Sequence, residues 1–270
     1  MVGPIVSTPV DDLTAGSRNL AYFVGATAGR KGHVASVDGG VAVASTYDVQ
    51  NAYFTMAVKT DPDSSPTVFV GETHEFFRGL SRTFKMWVPT DDYDLRSAVV
   101  KIGGVAELNK PPAMSIAHQI TGAVSSFAVR LATTAPDRAA FGLTAEGGYE
   151  SPGLAWVLED QDYFSAPGVN WAVAYDGDVP VGAACGFLHG RTGGIYFVAT
   201  PPEHRGRGVG AEVTTWVANS LFDSGAQRVT LQSSEMGRGV YERLGFTVCG
   251  EYERFVIACE STVQGARSAT

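Results

Sequence analysis

The chain has 270 residues, of which 44% are hydrophobic and 18% are charged. This composition excludes a disordered or fibrous protein and allows one large or two small domains. The 20 basic and 28 acidic residues give a formal net charge of −8. This charge argues against a general affinity for nucleic acid or for an anionic membrane surface, and it favours a cationic partner such as an amine.

The sequence indicates neither a metal or disulfide framework nor membrane insertion. Cys185, Cys249 and Cys259 are odd in number, lack metal-ligand spacing and lie in apolar surroundings, so we expect reduced core thiols and no metal. The first nine residues do not resemble a signal peptide, and no run is long enough to cross a bilayer. We therefore expect a cytoplasmic protein without a membrane partner.

The sequence pattern changes near residue 120. A Pro-containing segment over 109–114 is followed by small and polar residues over 121–126 and then by a new strand pattern. We therefore predict one domain over 1–125, a second over 126–260 and a loose tail over 261–270.

The first half is predicted to be an α+β mixture. Its predicted elements are strands over 41–45, 67–71 and 84–88 and helices over 72–81 and 92–102. It has no Gly-rich phosphate loop, and His33, His74 and His118 are scattered without a second ligand at metal spacing. We interpret these histidines as structural or surface residues rather than catalytic ones.

The second half has a clearer order of elements, and the acidic excess is concentrated there. In chain order they are a strand over 127–132, a helix that Thr134 caps, a helix over 152–160, a hairpin of strands over 171–175 and 181–188, a strand over 195–200, a helix ending near 222, a strand over 228–233, a helix over 236–244 and one or two strands over 247–259. In the helix ending near 222, apolar residues recur every four positions from Val209 to Leu221. This spacing predicts that one face of the helix packs on a sheet.

The segment Arg205-Gly-Arg-Gly-Val-Gly210 lies between a predicted strand and that helix. Free amide N–H groups and the positive end of the helix dipole meet there, so the segment predicts a phosphate site. The alternative is a glycine turn with two solvated arginines. Residues 206–211 also fit a dinucleotide fingerprint, but four residues separate Thr200 from Arg205, whereas a dinucleotide fold leads almost directly into the first glycine. No Gly-Lys-Ser or Gly-Lys-Thr follows, which excludes a nucleoside triphosphate loop.

These residues resemble the signature of the GNAT superfamily of acyl-CoA dependent N-acyltransferases. Arg205 to Gly210 matches its phosphate loop, and Val240-Tyr-Glu-Arg-Leu-Gly-Phe246 matches its second motif, in the family's order and at its spacing. The resemblance covers about half of the chain, residues 127–260. It implies an α+β, three-layer fold in which a twisted, mostly antiparallel mixed sheet is flanked by helices, with two such domains in the chain.

The resemblance also implies roles for single residues. The main chain from Gly206 to Ala211 would hold the pyrophosphate of acetyl-CoA, and the strand end would pair with the pantetheine arm. The implied cofactor-binding residues are Val198, Ala199, Thr200, Arg205, Gly206, Arg207, Gly208, Val209, Gly210, Ala211 and Ser234. Tyr241 would protonate the leaving thiolate, the alternative being a core tyrosine that packs against the cofactor.

The mechanism implied is direct attack of a neutral amine on the thioester, with the oxyanion held by a main-chain N–H near Val198. The sequence does not identify the base. Glu159, Asp160 and Asp162 fall in the region that borders the acceptor site and would act through water, or they form a solvated face. Two further residues, Glu203 and His204, are interpreted as structural. The serines at 233 and 234 either bond the pantetheine or substrate or cap the next helix.

The first half is interpreted as a degenerate copy of the same fold. In that reading 84–88 is the strand before a lost phosphate loop, because the acidic segment 89–94 follows it. Its role would be structural, covering a sheet edge or forming a wall of the acceptor cleft.

The sequence therefore predicts an N-acetyltransferase that moves an acetyl group from acetyl-CoA to a primary amine of a small molecule or peptide. A sensor or interaction module that binds acyl-CoA without transfer is the alternative. A dinucleotide-dependent oxidoreductase ranks third. No nucleic acid or membrane partner is expected, and a homodimer is compatible with the sequence but not selected by it.

Overall fold

The structure, a computed structural model, describes residues 9–47, 53–122 and 126–259. The predicted tail over 261–270 lies outside the described residues.

The first half is built from three helices and six strands within the described residues. They are α1 (Pro9–Ala26), β1 (Gly32–Val37), β2 (Gly40–Ser45), β3 (Thr55–Lys59), α2 (Pro66–Gly79), β4 (Phe84–Pro89), α3 (Tyr93–Lys101), β5 (Val105–Ala106) and β6 (Pro112–Ile116). A short 3₁₀ turn, Ala28–Lys31, follows α1.

The second half follows the predicted order closely. Its elements are β7 (Ala128–Leu131), α4 (Ala135–Tyr149), α5 (Leu154–Glu159), α6 (Gln161–Phe164), β8 (Val169–Asp176), β9 (Val179–His189), β10 (Thr192–Ala199), α7 (Val209–Asp223), β11 (Arg228–Gln232), α8 (Glu235–Arg243) and β12 (Thr247–Ile257). The predicted cap of α4 is confirmed, since the Thr134 side chain accepts from the Asp137 N–H and the Asp137 carboxylate accepts from the Thr134 N–H.

All described strands join one sheet with the order β1-β2-β3-β4-β12-β6-β11-β10-β9-β8-β7, and β5 pairs with β12 beside this path. Strand β12 lies between β6 and β4 and pairs with each of them over a different part of its length. Its first part, from Thr247 to Glu251, pairs with β6, and its second part, from Tyr252 to Ile257, pairs with β4. Strand β6, from the first half of the chain, lies between β11 and β12 of the second half.

The two halves repeat one pairing pattern. Strands β1, β2 and β3 pair antiparallel in sequence, and β3 then pairs parallel with β4 after the crossover helix α2. Strands β8, β9 and β10 pair antiparallel in the same way, and β10 pairs parallel with β11 after α7. The sheet is therefore mixed and mostly antiparallel, as predicted.

The halves also share a core. Helix α1 contacts the second half directly, where the Phe23 ring stacks on that of Tyr196 with centroids 3.9 Å apart. The buried Asn19 amide donates to the carbonyls of Phe187 and Thr192 and accepts from the Tyr196 hydroxyl at 2.6 Å. Burying such polar groups is tolerated because each of them is paired.

Several predictions for the first half are wrong. Residues 67–71 start helix α2 instead of forming a strand, because the Ser65 side chain accepts from the Val68 N–H and Pro66 fits the first turn. The Pro-containing segment 109–114, for which no strand was predicted, contains the start of the fully buried strand β6. In the repeated pattern, β3 takes the position of β10 and β4 takes the position of β11. The strand before the phosphate loop is the one in the position of β10, so the role predicted for residues 84–88 belongs to β3. The domain limits at 125 and 260 stay a prediction.

Candidate active site

Strand β10 separates from its neighbour near its end. It pairs with β11 only from Thr192 to Ile195, and its register against β9 shifts between Tyr196 and Ala199. Phe197, at the shift, has a φ of 53°, a left-handed conformation that is rare and strained for a residue with a side chain. The main chain over 196–199 is therefore left without strand partners on the β11 side, where an amide-bearing ligand can pair with it.

The first turn of α7 forms an anion cradle. Gly206 and Gly208 have φ angles of 75° and 87°, which glycine adopts without a steric penalty. Gly208 occupies the N-cap position without a side chain that bonds the helix N–H groups. A Cβ at Gly206 or Gly208 would meet nothing within 4 Å, so the space beside these two glycines, just before the first N–H groups of α7, is open. Helix N-termini with such free N–H groups bind phosphate.

Both arginines of the loop are paired with protein groups. Arg205 donates to the Thr200 carbonyl at 3.1 Å and the Gly148 carbonyl at 3.0 Å, and its guanidinium lies 3.3 Å from Glu150. Arg207 pairs with Asp176 at 2.6 Å. Arg205 therefore fastens the loop to the end of β10 and to α4, and the cradle itself is built from main chain.

Helix α8 carries the second predicted motif. The Ser234 hydroxyl caps it by accepting from the Gly237 N–H at 3.1 Å, and the Ser233 hydroxyl donates to the Ser234 carbonyl at 2.6 Å. The Tyr241 side chain is buried, and burial raises the pKa of its phenol well above the ordinary value. Tyr241 is therefore protonated at neutral pH.

A cleft of about 700 Å³ lies over the ends of β10 and β11. It brings together Val198, Ser234 and Tyr241 of the predicted site residues. The predicted residues over 199–211 are not part of its lining and lie at the end of β10 and the start of α7.

The acidic residues predicted to border the acceptor site lie elsewhere. Glu159 is exposed at the end of α5, and Asp160 pairs with Lys31. Burial, the largest single effect, would raise the pKa of Asp160, but the hydrogen bond and charge of Lys31 and the main-chain N–H groups of Asp162 and Tyr163 together outweigh it and hold the pKa below its usual value. Asp162 also lies within 3.4 Å of Lys31, and none of the three lines the cleft.

The carboxylates that do line the cleft are Glu235 and Glu251, which the sequence analysis did not select. Glu251 lies on β12, where its residue pairs with Pro112 of β6. The first half supplies Tyr53, Lys85 and Trp87 to the same cleft. The order of the strands brings these residues together, and no local sequence signal marks them.

Within the described ranges, no group of three or more His, Cys, Asp or Glu side chains is arranged to hold a metal ion. Over the same part of the chain, no helix has both the length and the apolar character needed to cross a membrane. The three cysteines are free, and burial raises the pKa of the Cys185 thiol well above its usual range.

A separated strand pair, an N–H cradle after the first of those strands and a buried tyrosine beyond the second are the features that the two sequence motifs predicted. Residues 141–246 match the model of the Acetyltransferase (GNAT) family. The matched residues, 106 of the 270, contain both motifs, so the match to this family falls where the two motifs predicted it.

Solved structures share the fold over most of the chain. A GCN5-related N-acetyltransferase from Kribbella flavida is 17% identical, with a TM-score of 0.67, over 90% of this chain and 95% of that one. A functionally unknown conserved protein from Staphylococcus epidermidis is 15% identical, with a TM-score of 0.59, over 84% and 94%. A GCN5-related N-acetyltransferase from Sphaerobacter thermophilus is 16% identical, with a TM-score of 0.56, over 85% and 80%. At these identities the likeness concerns the fold alone.

Proposed function

We propose that the protein is an N-acetyltransferase that moves an acetyl group from acetyl-CoA to a primary amine of a small molecule or peptide. The observation that carries this proposal is that the unpaired end of β10 and Tyr241 line one cleft, with the α7 cradle following β10 in the chain. The family supports transfer from acyl-CoA in general, while the acetyl group, the amine and a cytoplasmic location are parts of the proposal.

The residues present fit acetyl-CoA. The N–H groups over 206–211 are open and free of side-chain caps, as a pyrophosphate requires. The main chain from Val198 to Thr200 would pair with the pantetheine arm, and the Ser234 hydroxyl at the start of α8 would contact it. Acetyl-CoA supplies an activated thioester, so the protein has to orient the amine and manage two protons.

Tyr241 would supply one of these protons, to the sulfur of the departing thiolate. Its buried phenol keeps its proton at neutral pH because burial disfavours phenolate. The same apolar surroundings disfavour a free thiolate, so protonation of the sulfur as the C–S bond breaks lowers the barrier.

Glu251 would receive the other proton, from the attacking ammonium, directly or through water. It lies on the cleft wall, near α8, the helix that carries Tyr241: the pKa of Arg238 on that helix is raised mainly by its hydrogen bond to Glu242 and to a smaller extent by the charge of Glu251. We expect Glu251→Gln to lower kcat at neutral pH by about a hundredfold. Glu235→Gln, at the exposed start of α8, is the matched control. An equal loss in both variants would contradict the assignment of Glu251.

The first half is interpreted as a degenerate copy of the same fold. Its strand pattern repeats that of the second half, and the loop that corresponds to the cradle is the segment over 60–65. That loop contains Asp61 and Asp63 and no glycine, so it lacks both the free conformation and the charge for a phosphate. Its role would be to form a wall of the acceptor cleft.

The first test is a calorimetric titration with acetyl-CoA, with NAD as the competing ligand, on the native chain and on Gly208→Trp. Gly103→Trp is the matched control, since Gly103 has a φ of 89° and equally open space. We expect acetyl-CoA to bind, NAD not to bind, and only the Gly208 variant to lose binding. Absence of acetyl-CoA binding by the folded native chain would contradict the proposal. Binding without transfer to any amine would instead indicate a sensor.

A further inference from the structure

Two cations on one wall of the cleft, Lys85 of the first half and Arg254 of β12, share one carboxylate. Lys85 on β4 lies 2.7 Å from one oxygen of Glu107, and Arg254 on β12 lies 2.8 Å from the other. Lys85 and Arg254 line the cleft, while Glu107 does not. Two positive charges and one negative charge leave this cluster at +1, so it is one anion short of balance.

The cluster also has hydrogen-bonding capacity to spare. The Arg254 Nε atom contacts Glu107 as an ion pair but is buried without a well-aligned hydrogen bond, and the Trp87 indole nitrogen is buried without a partner among the described residues. The Arg254 guanidinium lies over the Trp87 ring, 5.4 Å from its centroid. Such stacking holds the guanidinium flat, which suits the recognition of a carboxylate.

The other two cations that line the cleft, Lys110 and Arg238, each pair with a carboxylate that is not shared with the other. Lys110 pairs with Glu253 and Arg238 with Glu242, each at 2.8 Å. The cations of these two pairs are each 49% exposed, so water screens their charges more strongly. The Lys85 and Arg254 side chains are only 28% and 21% exposed, so their charges are less screened.

The cluster is remote from the phosphate cradle. Strand β4 lies four places from β10 in the sheet, a separation of about 19 Å at the usual strand spacing. Glu251 and Arg254 are three residues apart on β12, which is about 10 Å along a strand, and side chains at this spacing leave opposite faces of the sheet. Both residues line the same cleft, so an acceptor with its amine at Glu251 would have to reach Arg254 with its second group across the cleft.

We propose that Lys85 and Arg254 bind a carboxylate of the acceptor, so that the acceptors are amines that also carry a carboxylate, such as amino acids. This inference rests on the proposed function. It also refines the expectation drawn from the net charge. The acceptor meets Glu251 with its amino end and a locally positive wall with its acidic end.

The test compares acetyl transfer to free amino acids and to the corresponding amino acid amides, which keep the amine but lack the carboxylate. The measured quantity is the ratio of kcat/KM for acid over amide, taken for the native chain and for Lys85→Gln and Arg254→Gln. Comparing chains cancels the different basicity of the two amines. We expect the ratio to fall by about tenfold or more in each variant, mainly through KM.

The variant Glu107→Gln should change the KM for free amino acids in the opposite direction. It leaves both cations without their shared carboxylate and raises the local charge, so we expect a lower KM for the free acids and no such change for the amides. A merely structural role of the cluster would weaken all three variants alike. Lys101→Gln, at an exposed cation on α3, is the control that should leave the ratio unchanged.

Two results would overturn the inference. An acid-over-amide ratio of kcat/KM that is the same in the native chain, Lys85→Gln and Arg254→Gln would show that the two cations do not recognise the carboxylate. Weaker calorimetric binding of acetyl-CoA by folded Arg254→Gln would assign the cations to the cofactor. If no amine is acetylated, the proposed function fails separately, and calorimetric binding of amino acids against amides still decides whether the anion site exists.

Discussion

Tyr241 is the residue on which the proposed chemistry depends most. We expect Tyr241→Phe to keep its affinity for acetyl-CoA and to lower kcat by about a hundredfold, since only the proton donor is lost. Because burial raises the phenol pKa, the native rate should show no loss from tyrosine ionisation up to about pH 10, its ordinary pKa. Stopped assays of transfer together with calorimetry would check this. A variant with native kcat would reduce Tyr241 to a packing residue.

The ionisation of Glu253 makes the free energy of unfolding depend on pH in the acidic range. The hydrogen bond from Lys110, aided by one from Arg96 and opposed by burial, lowers the pKa of this carboxyl. A lowered folded pKa gives stability that is present above the unfolded value near pH 4.3 and is lost as pH falls through the folded pKa.

The corresponding prediction is that Glu253→Gln lowers the urea midpoint at pH 7 and flattens its further decline below about pH 4.5. Urea unfolding followed by circular dichroism at several pH values would measure this. Glu242→Gln, in an exposed pair, is the control and should change the midpoint little. Parallel pH dependences in native and Glu253→Gln chains would contradict the assignment.

At the scale of elements, the α4 cap offers a local test. Thr134→Ala removes the side chain that accepts from the Asp137 N–H, and we expect a loss of about 1 kcal/mol in the free energy of unfolding. The neighbouring Thr133→Ala is the control, since only its main-chain N–H takes part, donating to Asp137. Denaturant titration of both variants would decide, and equal stabilities would contradict the cap.

Elements with strong local signals could be predicted from the sequence. The glycine loop, the four-residue apolar repeat of α7 and the Asp-Gly-Asp turn between β8 and β9 each specify structure within a few residues. Strand β6 was missed because its partners β11 and β12 lie far along the chain. Strand β1 was missed because it pairs only with β2 and is largely not buried, so it lacks the apolar pattern of a core strand. Ser65 and Pro66 did signal the start of α2, but the apolar run over 67–70 was read as a strand.

The residues of the candidate site likewise divide into those that local sequence signals predict and those that they do not. The cradle and Tyr241 belong to contiguous motifs and could be identified from the residues alone. Glu251, Arg254 and Lys85 could not, because their meeting requires β12 to run between β6 and β4. The predicted alternatives Glu159 and Asp160 were near in sequence to the expected acceptor region, but Asp160 is engaged by Lys31 of the first half.

At the scale of the whole molecule, β6 of the first half pairs with strands of the second half, and β12 of the second half pairs with β4 of the first. We therefore predict that the second half is not stable without the first. A fragment over 126–259 lacks β6, which leaves the facing edges of β11 and β12 without a partner and exposes buried residues such as Leu231 and Val229. We expect this fragment to aggregate or to unfold at much lower denaturant than the full chain. Adding residues 108–117 through a flexible linker should restore part of its solubility. An isolated fragment as stable as the full chain would contradict this.

The position of β12 has a consequence for the synthesis of the protein. The ribosome delivers the chain from its first residue onward, and the strand that completes the sheet of the first half is among the last described segments to emerge. The first half therefore waits with the edge of β4 that faces β12 unpaired until residues 252–257 have been synthesised. Such long-range pairing slows folding and leaves an exposed strand edge meanwhile. We therefore expect the nascent chain to rely on chaperones more than a single domain of equal stability would.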